Sequence, residues 1–107
     1  MTTFTRRATT YDTATDTQTV ATTTLTGSAI RVRASSGEIA RFSALGVHQE
    51  TAVLFFTPTT YGDRPRPGDT VAWETDENDD DIIWTVAFVD PIAPDGVTIA
   101  ARVGVRR

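Results

Sequence analysis

Along most of the chain, apolar and polar residues alternate at the two-residue period of a pleated strand. The pattern is cleanest from Val97 to Val105, where Val97, Ile99, Ala101, Val103 and Val105 alternate with Thr98, Ala100, Arg102 and Gly104. Ile82, Trp84, Val86 and Phe88 mark one face of a strand from Ile82 to Val89. Asp69 to Glu74 reads as a shorter strand, and the last three strands form a meander. Ser28 to Ala34 predicts a strand with Ile30, Val32 and Ala34 toward the core and Arg31 and Arg33 away from it. Glu50 to Thr57 carries apolar residues on both faces, so it is expected to be covered on both sides, with Pro58 ending it.

Threonine dominates the start, supplying thirteen of the first 26 residues. Few large apolar residues accompany it, which suits disorder, whereas β-branching suits the pleated surface. The strand reading places strands at Phe4 to Tyr11 and Gln18 to Leu25, with a turn at Asp12 to Asp16.

One segment leaves the two-residue period. Ser35-Ser36-Gly37-Glu38 fits a capping box, and Ile39, Phe42 and Leu45 follow at helical spacing. Gly46 can take the left-handed conformation that ends a helix. So short a helix must pack on the sheet, with Ile39, Phe42 and Leu45 plugging one end of it; the alternative is a segment, Ser35 to Gln49, that moves. Loops are expected at Thr59 to Gly68, stiffened by Pro65 and Pro67, at Thr75 to Asp81, and at Asp90 to Gly96. The fold class is therefore mainly β: a small closed or partly open β-barrel of about six to seven strands with one short helix, which manages the sheet edges best. Residues 1–107 read as a single domain.

Composition narrows the chemistry. With no cysteine among 107 residues, disulfides, thiolate nucleophiles and cysteine-based zinc sites are excluded. No apolar run approaches the ~20 residues that span a bilayer, so no membrane partner is expected, and the N-terminus lacks the apolar stretch of a signal peptide. The expectation is a protein made in the cytoplasm. The net charge of -4 makes free DNA an unattractive partner. All ten basic residues are arginine, which suits an arginine-favouring genome, a salt-adapted source, or fork-like pairing with carboxylates at protein contacts.

No motif assembles a catalytic site. His48 is the only histidine and has no Ser or Asp partner at a telling spacing. Glu74 to Asp81 holds six carboxylates in eight residues, without the spacing of a calcium loop. A solvated hairpin tip, a contact with an arginine-bearing neighbour and a metal site are its readings in falling order. Arg6 and Arg7, Arg31 and Arg33, Arg64 and Arg66, and Arg106 and Arg107 recur as pairs. Solvation or pairing within the chain is their plain reading, and pairing between subunits the functional one. With Asp79, Asp80 and Asp81 they are the interface candidates. No cofactor is expected.

Pro65-Arg66-Pro67-Gly68-Asp69-Thr70-Val71, then Trp84-Thr85-Val86 with Val89, Pro94-Asp95-Gly96 and the closing Val103-Gly104-Val105-Arg106-Arg107 resemble the head-closure, or stopper, proteins of the head-to-tail connector of tailed viruses. Arg6-Arg7 and Tyr11-Asp12 before a threonine-rich strand are similar too, so the resemblance runs end to end. It implies a small barrel and a ring of identical subunits beneath the portal and its adaptor. It also implies closure of the DNA-filled head, a platform for the tail, and no enzyme activity. The insertion between early strands can face the channel in such proteins, which makes Arg41 and His48 channel-facing candidates. The acidic tip at Asp76 to Asp81 departs from the pattern and, with the absence of lysine, suits a virus of a salt-loving host. A tail terminator or other neck ring protein is the nearest alternative, and a monomeric β-barrel binding module is a further one.

Overall fold

A computed structural model describes all 107 residues. Six strands and one helix follow in the order β1 (Thr2–Asp12), β2 (Thr17–Val32), α1 (Ser36–Ala44), β3 (Thr51–Pro58), β4 (Thr70–Thr75), β5 (Asp81–Ile92) and β6 (Ala100–Arg106). All pairings are antiparallel, and the ring order is β1-β2-β3-β6-β5-β4. The last three strands form the expected meander. The ring closes through only two pairs, Phe4 with Val71 and Thr5 with Thr70, so the small barrel has a short seam.

The interior follows the two-residue period. Ala52, Leu54 and Phe56 of β3 stand opposite Val105, Val103 and Ala101 of β6, and all six are buried. Phe4, Val71, Trp84 and Val86 complete this core. Phe4 and Phe56 meet edge to face at 4.9 Å between centroids, a geometry that adds to simple burial. The indole of Trp84 donates to the Trp73 carbonyl at 2.9 Å, satisfying its one polar group.

A second, smaller core lies on the outer wall. Ala87 is an extra residue between Val86, paired with Val105, and Phe88, paired with Gly104. This bulge reverses the alternation, so Phe88 leaves the face of Trp84 and Val86 that the sequence pattern assigns to it. Its ring lies where a Cβ at position 104 would stand, and Gly104 makes the room. Phe42 of α1 packs on it at 4.7 Å, with Val53 beneath. The helix therefore covers the barrel's side wall and does not plug its end. The capping box forms as expected, Ser35 Oγ accepting from Glu38 N and Glu38 Oε1 from Ser35 N. Gly46, at φ 70, ends the helix. Of the three apolar helix residues only Phe42 faces inward; Ile39 and Leu45 are 60% and 55% exposed. Glu38, one turn before Phe42, takes the other inward place.

Three further expectations shift. The strands foreseen at Gln18 to Leu25 and Ser28 to Ala34 are one continuous strand, β2. Its register puts Ala29 opposite Phe56 and Arg31 opposite Leu54, so Ile30 points outward and is 63% exposed. Near the other end of the chain, Asp90, Pro91 and Ile92 belong to β5 and pair with Arg102, Ala101 and Ala100, while Val97 and Ile99 precede β6 and are exposed.

The threonine-rich start is strand on both sides of a turn at residues 13–16. β1 and β2 pair without interruption from Thr2 with Gly27 to Asp12 with Thr17. Beyond Thr5 on β1 and before Gly27 on β2, neither strand pairs with any other. A two-stranded arm therefore leaves the barrel, extending about 20 Å from Arg6 to Asp12 at the usual rise of an antiparallel strand. Gly27 sits at its root, where a Cβ would strike the Thr57 carbonyl oxygen.

Candidate interaction surfaces

The end of the barrel at the root of the arm carries the long loop between β3 and β4. Its conformation is set by Asp69, which is 3% exposed. Both Asp69 carboxylate oxygens accept from Arg6, Nε to Oδ1 and Nη2 to Oδ2, each at 3.0 Å. Oδ2 also accepts from the Arg66 backbone N at 2.9 Å. Bidentate pairing of this kind is strong and directional. Gly68 N donates to the Val86 carbonyl and Val86 N to that of Asp69, which ties the loop to β5. Pro65 is buried. The loop is thus a rigid mount, and Arg64 and Arg66 project from it without a carboxylate partner.

Two depressions flank these arginines. One, of about 460 Å³, lies between the root of the arm and the loops, and is mostly polar, with Arg6, Asp63 and Asp69 in its wall. The other, of about 400 Å³, runs from the end of α1 across the proline loop to β5. Leu45, Pro65, Pro67 and Phe88 line it, and Arg41, Arg64 and Arg66 rim it.

On the side wall Glu38 holds Arg102 through Nη2 to Oε1 at 2.6 Å and Nε to Oε2 at 3.0 Å. The Arg102 guanidinium, aided by Ser35, draws the Glu38 carboxyl down from 4.5 to about 2 against the opposing effect of burial. The same hydrogen bond raises Arg102. Arg102 Nη2 also donates to the Arg33 carbonyl at 3.1 Å, pinning the segment before α1. The sequence signal for Glu38 is its place in the capping box, but its partner lies 64 positions away and leaves no local trace.

Among the arginines singled out from sequence, four sit in intrachain pairs: Arg6 with Asp69, Arg31 with Glu74, Arg107 with Glu50, and Arg41 with Asp90. Arg41 also lies 4.5 Å from the Phe88 ring centroid, and Arg31 lies 6.0 Å from that of Trp84. Arg7, Arg33, Arg64, Arg66 and Arg106 have no carboxylate partner. His48 is exposed in the stretch after α1. Asp79 and Asp80 lie exposed at the tip between β4 and β5, and Asp81, also exposed, begins β5. That tip is ordered by Asp76, whose Oδ1 accepts from Asn78 N and Asp80 N. No three of its carboxylates converge as a metal site would require.

The sequence candidates are therefore spread over several faces; the structure gathers Arg6, Arg64 and Arg66 with Asp69 around one depression, and Arg41 with Arg64 and Arg66 around the other. Neither a family model, nor a curated protein sequence, nor a solved structure matches the chain.

Proposed function

We propose that the protein is a structural component of the neck of a tailed virus. In this reading it forms a homo-oligomeric ring beneath the portal or adaptor, closes the DNA-filled head and offers a platform to the tail. The observation that carries the reading is the end-to-end resemblance to stopper proteins, from Arg6-Arg7 through Pro67-Gly68-Asp69 to Val103-Gly104-Val105. The small barrel agrees with it. So does the loop fastened by Asp69, which presents Arg64 and Arg66 on a rigid base and so reduces the ordering lost on binding.

Its partners are other copies of itself, the adaptor or portal on one side, and the tail terminator or tail tube on the other. Double-stranded DNA would pass through the channel without specific binding, since a net charge of -4 repels phosphate. The ring would reside in the virion neck after assembly in the host cytoplasm, with Arg41 and His48 toward the channel. This reading assigns the protein no catalytic role. A tail terminator is the second reading; the single nine-residue helix disfavours it, because that family usually lays two longer helices on its sheet.

Removing the gene tests the assignment. Filled heads that leak DNA and lack tails are expected. Particles that keep their DNA and carry normal tails would transfer the protein to the class of free-standing binding modules.

A further inference from the structure

The arm is the one part of the molecule that its own fold does not explain. Isolated two-stranded ribbons are marginal in water, and this one gains nothing from the barrel beyond its root. Its composition lacks the usual guards of an exposed edge: from Ala8 to Ala21 there is no proline, lysine or arginine. Its face at the free end shows Tyr11 and Val20, each 56% exposed. Tyr11 and Val20 are diagonal neighbours, since Tyr11 pairs with Gln18 and Thr9 with Val20. The Tyr11 hydroxyl bonds the Asp16 carboxylate, and Asp12 accepts from Ala14 N. The free end is thus an aromatic and aliphatic knob beside two carboxylates.

The complementary surface lies on the same chain. The groove along the proline loop presents exposed Leu45 and Pro67 above the buried Pro65 and Phe88, and Arg64 and Arg66 line it without carboxylate partners. The ribbon leads away from the barrel, and beyond its root it pairs with no other strand, so its tip does not lie on the groove of its own chain. We infer that the arm of one copy docks in this groove of the next copy, with Tyr11 and Val20 on Leu45 and Pro67, and Asp12 and Asp16 against Arg64 and Arg66. Tyrosine and arginine are the residues that most often carry interface energy. Because arm and groove are different surfaces, the contact runs head to tail and closes into a ring when the rotation allows. The inference rests on the ring reading and names the contact that builds the ring.

The absence of native cysteine makes the test direct. Two single-cysteine variants, Tyr11→Cys and Pro67→Cys, are mixed at high concentration under mild oxidation. The mixed disulfide should exceed, by at least tenfold, that formed when Ile83→Cys, an exposed position outside both surfaces, replaces either partner. Adding Arg64→Glu and Arg66→Glu to the groove variant should abolish it, and adding Asp12→Arg and Asp16→Arg to the arm variant should restore it. A yield no better than the Ile83 control, or Tyr11-to-Tyr11 disulfides in its place, overturns the inference. Sedimentation of the wild-type chain separates the two levels. Oligomers without the mixed disulfide sink the arm contact and leave the ring standing, whereas a strict monomer that forms no mixed disulfide, with no ring in the particle, removes both.

Discussion

In the barrel, β3, β5 and β6 each lie between two neighbours and bury a contiguous set of side chains; in the arm, β1 and β2 have only each other and bury almost nothing. Both regions are antiparallel β-structure, but different forces hold them. Barrel residues such as Leu54, Phe56 and Val103 are removed from water on every side, and the hydrophobic gain rises with the apolar area buried. The arm relies on backbone hydrogen bonds and on cross-strand pairs such as Thr10 with Thr19, each worth ~0.2-1 kcal/mol. Stability resides in the barrel, and the arm carries the exposed surface on which the proposed contact between copies rests.

The contrast can be broken or sharpened by substitution. Trp84→Ala should cost the most, ~3-5 kcal/mol, because it empties the centre of the barrel and orphans the Trp73 carbonyl. Urea unfolding would read it, and a cost under about 1 kcal/mol would contradict the central place of this side chain. Phe42→Ala should follow, near the lower end of the same range, since its cavity opens on the outer wall under α1. Near-normal stability there, together with failed head closure, would instead favour a helix that moves as a gate.

Gly27→Ala probes the junction between the regions. The added methyl meets the Thr57 carbonyl, which belongs to paired backbone and cannot swing aside. A loss of ~1-3 kcal/mol is expected, with a change in amide exchange at the root of the arm as the second readout.

The Glu38–Arg102 pair gives a smaller, pH-dependent effect. The folded-state pKa of Glu38 is depressed from 4.5 to about 2. Its contribution is therefore complete above about pH 4.5 and is lost as pH falls toward 2. Glu38→Gln should flatten that part of the stability–pH curve and leave the curve above pH 5 parallel to wild type. A wild-type curve that is already flat between pH 4.5 and 2 would show that the pair does not form. The smallest effect belongs to the arm: Val20→Ala should change stability by no more than ~0.5 kcal/mol, as at other exposed sites. A larger loss in dilute solution would mean that the arm packs on its own barrel.

Much of this architecture is written in local pattern. The strand periods, the capping box at Ser35, the helix end at Gly46 and the stiff loop at Pro65 and Pro67 depend on interactions within a few residues, so neighbouring residue types suffice to reveal them. Three features were decided only by the tertiary structure. The bulge at Ala87 turns Phe88 outward, because the extra residue shows only against the register of β6. Ile30 faces solvent and Arg31 lies opposite Leu54, because β2 inherits its phase from one uninterrupted run that also pairs with β1. Phe42 and Glu38, rather than Ile39 and Leu45, face the wall, because the second core lies where Phe88 and Gly104 make room and Arg102 waits to pair. Of the candidate surface, the loop with Arg64 and Arg66 was visible as proline and arginine spacing. The long-range partners that fasten it and the projecting arm were not, since a sequence shows that a strand exists but not where its partners end.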